Sequence, residues 1–279
     1  DFYWERTRFS VNAVGDYLRM AFPPNLPNIE HVVINSTAKE ELALRTGITS
    51  IIIPNVLDFE NPPDVDIEKT KDFRETIGVT PDDVLILQPT RVVQRKGIEH
   101  AIELVEELGD PRYKLVISHE AGDEGREYGE WLKDHARDRG VDLRTLNLRI
   151  SDPLNPDVNR KYLYTLWDIY PHSDFITYPS LYEGFGNAFL EAVYFKKPLL
   201  INRYAIFVSD IEPKQFDLIA MDGYLTRNTV QKVRNVIESS QRREEMVNAN
   251  FEIAKKFFSF DRLRRWLNLL LTNFFGSEF

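Results

Sequence analysis

The sequence predicts an α/β fold in which a parallel β-sheet carries helices on both faces. Short apolar runs alternate along the chain with helical segments of about 10–17 residues, which is the pattern of βαβ units. The chain has 279 residues, 43% of them hydrophobic, so it can bury a substantial core. This length fits one large domain or two smaller ones.

The first elements lie ahead of a proline-rich segment. The run "HVVIN" predicts a buried strand, and the following helix is expected to be capped by Ser36 or Thr37 and to end at Gly47. The run "SIIIPN" predicts a second strand. The segment Val56–Asp66 contains two adjacent prolines and several acidic residues, and we interpret it as a linker between domains.

After this linker the alternation begins again. The predicted strands are, in order, "DVLILQPT", "YKLVISH", "LNLRIS", "DFITYPS" and "KPLLIN". Helices are predicted in the intervals, for example in "GIEHAIELVEELG" and from about Gly186. Helices at about Thr229–Ser239, Arg243–Phe257 and Phe260–Phe275 are expected to close the chain.

The charge and residue composition of the chain argue against some classes of binding partner. The net charge of −9 and pI of about 5.2 argue against a nucleic-acid partner, because such proteins bind largely by neutralising phosphates. The absence of cysteine excludes disulfides and thiolate metal sites, and it favours a cytoplasmic location. No apolar run reaches the roughly 20 residues of a membrane span. Trp266–Phe275 is too short, and is expected to be a packed helix face or a peripheral membrane contact.

In open α/β sheets, ligands bind beyond the carboxyl ends of the strands, so the residues that follow each strand are the candidates for a binding site. After "DVLIL" come Arg91 and Lys96, with Arg95 beside Lys96. Two cations at such a turn could clamp a diphosphate. The alternative interpretation is ordinary solvated surface charge.

After "DFITYP" comes a glycine-bracketed turn between two glutamates. Gly184 and Gly186 allow close approach of backbone N–H groups to a ligand, and the following helix N-terminus suits a phosphate. Glu183 and Glu191 cannot favourably contact phosphate, but they can accept hydrogen bonds from sugar hydroxyls. The alternative is a purely structural strand–helix turn with Glu191 in solvent.

A third site follows "YKLVI". His119 is its only side chain whose pKa lies near neutrality, although a simple surface loop is the alternative interpretation. The five histidines have no paired spacing that would predict a metal site.

Several of these segments together resemble a known family. "PSLYEGFGNAFLEA" resembles the E-x7-E motif of retaining GT-B glycosyltransferases, in particular glycosyltransferase family 4, with Glu183 and Glu191 at the required spacing. "KKPLLIN" and "PTRVVQRKGIEHAIEL" are similar to the strand and the basic motif of that family. "IIIPNVLDFE" is similar to its interdomain segment, except that no glycine follows Asn55.

The resemblance implies a role for each candidate residue. Arg91 and Lys96 would bind the donor diphosphate and stabilise the leaving nucleotide, Glu183 would contact the donor sugar, and Glu191 would bind the ribose. Backbone N–H groups of the turn would contact sugar and phosphate, and the base would stack near the loop after "LNLRIS". The residues of the turn that would bind the donor are Gly184, Phe185, Gly186 and Asn187. The residues that would lie against the base are Ile150 and Ser151.

The resemblance also implies a GT-B fold with a particular domain organisation. Residues 1–57 would be the C-terminal part of the acceptor-side domain, so that the chain starts inside that domain. Residues 58–258 would be the Rossmann-like domain that binds the nucleotide sugar, and residues 259–279 a helix that crosses back.

The implied activity is retaining transfer of a hexosyl group from a UDP- or GDP-linked sugar to a sugar or small polar acceptor, without a metal or other cofactor. Two alternatives remain open at this point. One is a nucleotide-sugar-binding module without turnover. The other is a glycoside hydrolase that uses Glu183 and Glu191 as its carboxylate pair.

Overall fold

The computed structural model describes residues 17, 24–62, 67–119, 125–146 and 164–276. The chain divides into two compact units. The smaller falls within Asp1–Asn55 and Asp261–Phe279, and the larger is Val56–Phe260. The two divisions lie two residues from the predicted ones, which fall after residues 57 and 258.

The smaller unit contains a parallel pair of short strands and a helix between them. Strand β1 (Val32–Val33) pairs with β2 (Ile51–Ile52), and helix α1 spans Ser36–Thr46. The helix is capped by Asn35, whose side chain accepts a hydrogen bond of 2.7 Å from the Ala38 amide, so the predicted Ser36 or Thr37 cap is wrong. Gly47 ends the helix in the left-handed conformation.

The larger unit is built on a six-stranded sheet in which all neighbours are parallel. The spatial order is β5-β4-β3-β6-β7-β8, the strand order of doubly wound nucleotide-binding folds. The strands are β3 (Val84–Gln88), β4 (Tyr113–Ile117), β5 (Leu143–Thr145), β6 (Phe175–Tyr178), β7 (Leu199–Asn202) and β8 (Ile219–Met221).

Helices cover both faces of this sheet, as the sequence predicts. Their bounds are α2 (Ile67–Thr70), α3 (Phe73–Thr76), α4 (Ile98–Leu108), α5 (Arg126–Asp138), α6 (Leu166–Ile169), α7 (Asn187–Tyr194), α8 (Arg227–Glu238) and α9 (Ser240–Phe258). Helix α10 (Phe260–Phe275) follows in the chain, and all but its first residue belongs to the smaller unit. Buried side chains alternate between the two faces along each strand. Leu85 and Leu87 of β3 join the core formed with α7 and α9, whereas Ile86 joins the core formed with α4, α5 and α8.

Three local predictions differ from the structure. Strand β8 was not predicted, because its three residues follow an irregular segment with no clear periodicity. The strand near "LNLRIS" lies at Leu143–Thr145, ahead of the predicted run, and residues 147–151 are outside the described residues. The start of the predicted linker is packed, since Phe59 is buried against Tyr194 and Phe251 at ring distances of 5.1 and 5.2 Å.

Candidate active site

Strands β3 and β6 are neighbours at the point where the winding of the sheet reverses. The chain leaves β3 toward α4 on one face and leaves β6 toward α7 on the other. The two connections therefore diverge, and a crevice opens beyond the carboxyl ends of both strands. The basic segment after β3 and the glycine turn after β6 border this crevice.

The basic segment packs directly on the connection that follows β6. It forms a short 3-10 helix, Gln94–Lys96, which ends at Gly97 with φ 58°. A Cβ on Gly97 would lie 2.5 Å from the carbonyl oxygen of Pro179, so only glycine permits this approach. The carbonyl of Arg95 also accepts a hydrogen bond of 2.9 Å from the Leu181 amide. These contacts hold the cations of one loop against the glutamate of the other.

Lys96 and Glu183 form an ion pair in this position. The Lys96 ammonium donates to Oε1 of Glu183, and both residues are buried, at 8% and 9% exposed. Arg95 donates to the Tyr182 carbonyl at 3.1 Å and lies 3.5 Å from Oε2 of Glu183. Burial lowers the pKa of Lys96, and the charge of Glu183 opposes that effect.

Arg91 and His119 complete the basic side of the crevice. Arg91 is exposed, and within the described residues its side chain has no hydrogen bond or ion pair. His119 follows β4, and its Nδ1 lies 2.7 Å from the Ser118 hydroxyl. The pKa of His119 is lowered by burial and then by the charges of Arg91 and Lys96, so these three groups are electrostatically coupled. His119 is half-buried, and the charges of the predicted clamp act on it.

The glycine turn is fixed from below by a tyrosine. Gly186 has φ 111° and precedes α7, and the Tyr204 hydroxyl donates to the Phe185 carbonyl at 2.8 Å. The Phe185 side chain is buried against Phe258, so only its backbone faces any ligand. Gly184 and Asn187 border the same turn. The first amides of α7 are thus presented to the crevice with their positive dipole end.

Glu191 lies on α7, one turn into the helix. Its carboxylate accepts a hydrogen bond of 3.0 Å from the buried Tyr170 hydroxyl. The residue is half-buried, and burial raises its pKa. The alternative of a solvated helix residue is therefore wrong.

Ile150 and Ser151, the predicted contacts of the base, lie outside the described residues. A cavity of about 560 Å³ opens beside the carboxyl ends of β4 and β5, and Ile117, Thr145 and Lys133 are among the residues that line it. Within the described part of the chain, no group of three or more histidine and acidic side chains is arranged to hold a metal ion.

Sequence reasoning missed the polar residues that support the site. Tyr178 lies beneath Lys96, whose ammonium is 5.6 Å from the ring centre. Buried Gln88 links β3 to β6 by accepting a hydrogen bond from Thr177 at 2.7 Å, and it donates to Thr90 at 2.8 Å. Gln88 and Tyr178 are the last residues of β3 and β6. Their position at the end of a strand is the signal in the sequence that could have identified them.

The family model described as "Glycosyl transferases group 1" matches residues 69–252, which include the whole crevice. The chain belongs to this family. Arg91, Lys96, Glu183 and Glu191 thus lie in the matched domain of a group 1 glycosyltransferase with a Rossmann-like GT-B fold. Among the described residues, no helix of this glycosyltransferase is both long and apolar enough to cross a membrane.

Two similar curated proteins are named mannosylglucosylglycerate synthase. The Thermotoga maritima protein is 32% identical over 293 residues, which cover 94% of this chain and 66% of the relative. The Petrotoga mobilis protein is 35% identical over 295 residues, which cover 96% of this chain and 65% of the relative. The glycosyltransferase described here therefore spans just under two thirds of the length of these relatives.

Solved structures show the same fold at low sequence identity. A glycosyltransferase from Rickettsia africae superposes with a TM-score of 0.73 at 15% sequence identity. The matched region covers 96% of this chain and 68% of the Rickettsia chain. Anabaena Alr3699/HepE, solved in complex with UDP and glucose, has a TM-score of 0.72 at 16% identity and covers 96% and 69%.

Proposed function

We propose that this protein transfers a mannosyl group, with retention, from a nucleoside diphosphate sugar to a small sugar-acid acceptor. The observation that carries the proposal is the meeting of Lys96, Glu183 and the Gly184–Gly186 turn at the switch point of the sheet. A cation and a helix N-terminus suit a diphosphate, and a carboxylate beside them suits a polyol. A nucleotide sugar has these two parts in adjacent positions.

Lys96, Arg91 and the N-terminus of α7 stabilise the leaving nucleoside diphosphate. Negative charge develops on the diphosphate as the glycosidic bond breaks, and preformed positive groups favour that state over the intact donor. Lys96 is already fixed by Glu183 and Tyr178, so little reorganisation is needed. The same cations perform the electrostatic task of a metal ion, and we propose that transfer is independent of metal.

Glu183 and Glu191 then have separate tasks. Glu183 accepts hydrogen bonds from the donor sugar beside the diphosphate, while Glu191, placed by Tyr170, holds the ribose hydroxyls. Their E-x7-E spacing supports a retaining reaction. The names of the two curated relatives support mannosyl as the group and glucosylglycerate as the acceptor.

The two alternatives are less well supported. A glycoside hydrolase would use Glu183 and Glu191 on the two sides of one bond, but Glu183 is engaged by two cations and Glu191 by a tyrosine hydroxyl. Such a hydrolase would leave the basic segment without a task. A binding module without turnover would show the same binding behaviour, and only an assay of transfer separates it.

The test has two stages. A thermal-shift screen against UDP-, GDP- and ADP-sugars should identify one donor, since ligand at about 100 times its Kd adds roughly 2.7 kcal/mol to the free energy of unfolding. That donor, with glucosylglycerate, should then give a mannosylated product by mass spectrometry, with and without EDTA. Sugar release without nucleotide would favour the hydrolase, and binding without product would favour the binding module.

A further inference from the structure

Glu183 places a negative charge inside a site that is otherwise built for anions. Its carboxylate contacts the Lys96 ammonium and lies 3.5 Å from the Arg95 guanidinium. The side chains of Lys96 and Glu183 are each 10% exposed, so solvent screens their charges weakly. An ammonium has three donors, so Lys96 can contact Glu183 and a phosphate together. Any diphosphate on Lys96 would therefore have Glu183 close by.

The substrate and the product of sugar transfer differ in charge at this point. In the donor, the terminal phosphate is esterified to the sugar and has no proton that titrates near neutrality. In the free nucleoside diphosphate, the same phosphate regains a second ionisation with a pKa of about 6, as in other phosphate monoesters. The product therefore carries about one more negative charge at pH 7, on the phosphate nearest the sugar position.

We propose that Glu183 acts as a charge filter, which weakens binding of the free nucleoside diphosphate relative to the nucleotide-sugar donor and promotes product release. This inference rests on the proposed function. The donor compensates for the repulsion because its hydroxyls can donate to the carboxylate. The product has more charge and lacks those hydroxyls. Glu183 is thus a specificity-determining residue for the ligand, in addition to its contact with sugar.

The second glutamate cannot replace Glu183 in this role. The carboxylate of Glu191 is held by the Tyr170 hydroxyl, and no described cation pairs with it. Its hydrogen bonds would favour a ribose, which the donor and the product share. The filter therefore depends on Glu183, whose carboxylate lies against the cations of the basic segment.

The experiment measures affinity for both ligands in variants that differ in one charge. The donor that the screen selects and its free nucleoside diphosphate, for example GDP-mannose and GDP, are titrated by calorimetry into the wild type and Glu183→Gln. The matched control is Asp110→Asn, which removes an equal charge just before β4, at the opposite end of the strands from the site. There Asp110 pairs with Arg112 at 2.7 Å. We expect Glu183→Gln to bind the free diphosphate about 5- to 30-fold more tightly than the wild type. The sugar conjugate should not gain affinity.

The outcomes separate this inference from the proposed function. If the wild type binds both ligands but Glu183→Gln binds the free diphosphate no more tightly, the filter is wrong and the proposed function stands. If the wild type binds neither, both fail. Asp110→Asn should bind both ligands with the affinity of the wild type. A similar gain in affinity for the free diphosphate in that variant would show that the net charge of the protein causes the effect. Glu183→Ala removes the same charge and serves in the same titration if Glu183→Gln does not fold.

Discussion

The Tyr204 hydroxyl donates a hydrogen bond of 2.8 Å to the Phe185 carbonyl and thereby lies directly against Gly186. A Cβ on Gly186 would overlap that hydroxyl oxygen, whereas Cζ of the same ring would be 3.4 Å away, close to ordinary contact. The φ of 111° at Gly186 is a second obstacle to any side chain. The turn before α7 therefore requires glycine for two reasons that can be tested separately.

Gly186→Ala should lower the free energy of unfolding by about 2–4 kcal/mol, because overlap adds to backbone strain. Adding Tyr204→Phe should recover part of this loss, since the remaining ring atoms leave room for the methyl group. Urea denaturation of the single and double variants measures the coupling. Gly140→Ala is the control for strain alone, because Gly140 has φ 65° and nothing lies within 4 Å of its Cβ position. If Tyr204→Phe and Gly186→Ala add independently, the hydroxyl is not the cause.

This turn also shows how far sequence reasoning reaches. Parallel strands bring their carboxyl ends to one edge, so Lys96 and Glu183 could be expected at a common crevice from strand prediction alone. Their direct pairing could not, because they are 87 residues apart and the contact depends on the packing of Gly97 on Pro179. The task of Tyr204 was equally hidden, since nothing in the sequence shows where its hydroxyl points.

The same limit applies to parts of the fold. The apolar strands of the larger unit could be predicted because burial on both faces requires continuous apolar runs. Strand β8 could not, because three residues give no periodicity and only the neighbouring β7 makes them a strand. The Asn35 cap depends on a local choice among three polar residues that all suit a helix start. A tertiary contact decides the first case, and a local hydrogen bond to the Ala38 amide decides the second.

We expect Arg91→Ala and Lys96→Met to weaken ligand binding to a similar extent, but to differ in the stability of the folded protein. Arg91→Ala and Lys96→Met should each weaken binding of the nucleoside diphosphate by about 1.5–3 kcal/mol, because each loses a charge-assisted contact. Arg91 is exposed, so Arg91→Ala should unfold within about 0.5 kcal/mol of the wild type. Lys96→Met leaves buried Glu183 with only the more distant Arg95, and should be clearly less stable.

Calorimetry measures the affinities, and denaturation measures the stabilities. The control is Arg112→Ala, which removes a cation from the opposite edge of the sheet. It should leave the affinity unchanged. Unchanged affinity in both Arg91→Ala and Lys96→Met would remove the diphosphate clamp from the proposed site.

His119 should take up a proton when the donor binds. The charges of Arg91 and Lys96 contribute to the lowered pKa of His119, and a bound diphosphate would offset them and raise that pKa again. Because the complex then holds more protons than the free protein, affinity should fall as pH rises through the window between the two pKa values, which begins below 6.5. A nucleotide sugar is the suitable probe, since its phosphates do not titrate there.

Calorimetry near pH 6 in two buffers of different ionisation enthalpy gives the number of protons taken up. His119→Gln should abolish the uptake and flatten the pH dependence of the affinity. His172→Gln is the matched control, because His172 also has a lowered pKa but lies at the other edge, where it contacts the Thr70 hydroxyl at 2.8 Å. Equal uptake in the wild type and His119→Gln would exclude His119 as the source.

Glu191 should contribute to the binding of the nucleoside, and it should make the stability of the free protein depend on pH. Glu191→Ala should weaken both the free nucleoside diphosphate and the sugar donor by a similar factor, about 10- to 150-fold, because both ligands carry the ribose. Glu191→Gln keeps one acceptor for the Tyr170 hydroxyl, so it should retain the packing while losing much of the affinity. Calorimetry against both ligands tests this, and an effect on the donor alone would contradict the ribose assignment.

The raised pKa of Glu191 gives an independent measurement on the free protein. Between the unfolded pKa near 4.5 and the higher folded pKa, the folded chain binds more protons than the unfolded chain. The contribution of Glu191 to stability is therefore present below about pH 4.5 and is lost as pH rises through the folded pKa. Glu191→Gln cannot ionise, so its stability relative to the wild type should increase across that window and stay constant above it. A stability difference that does not change with pH would show that the Glu191 carboxyl is not desolvated in solution.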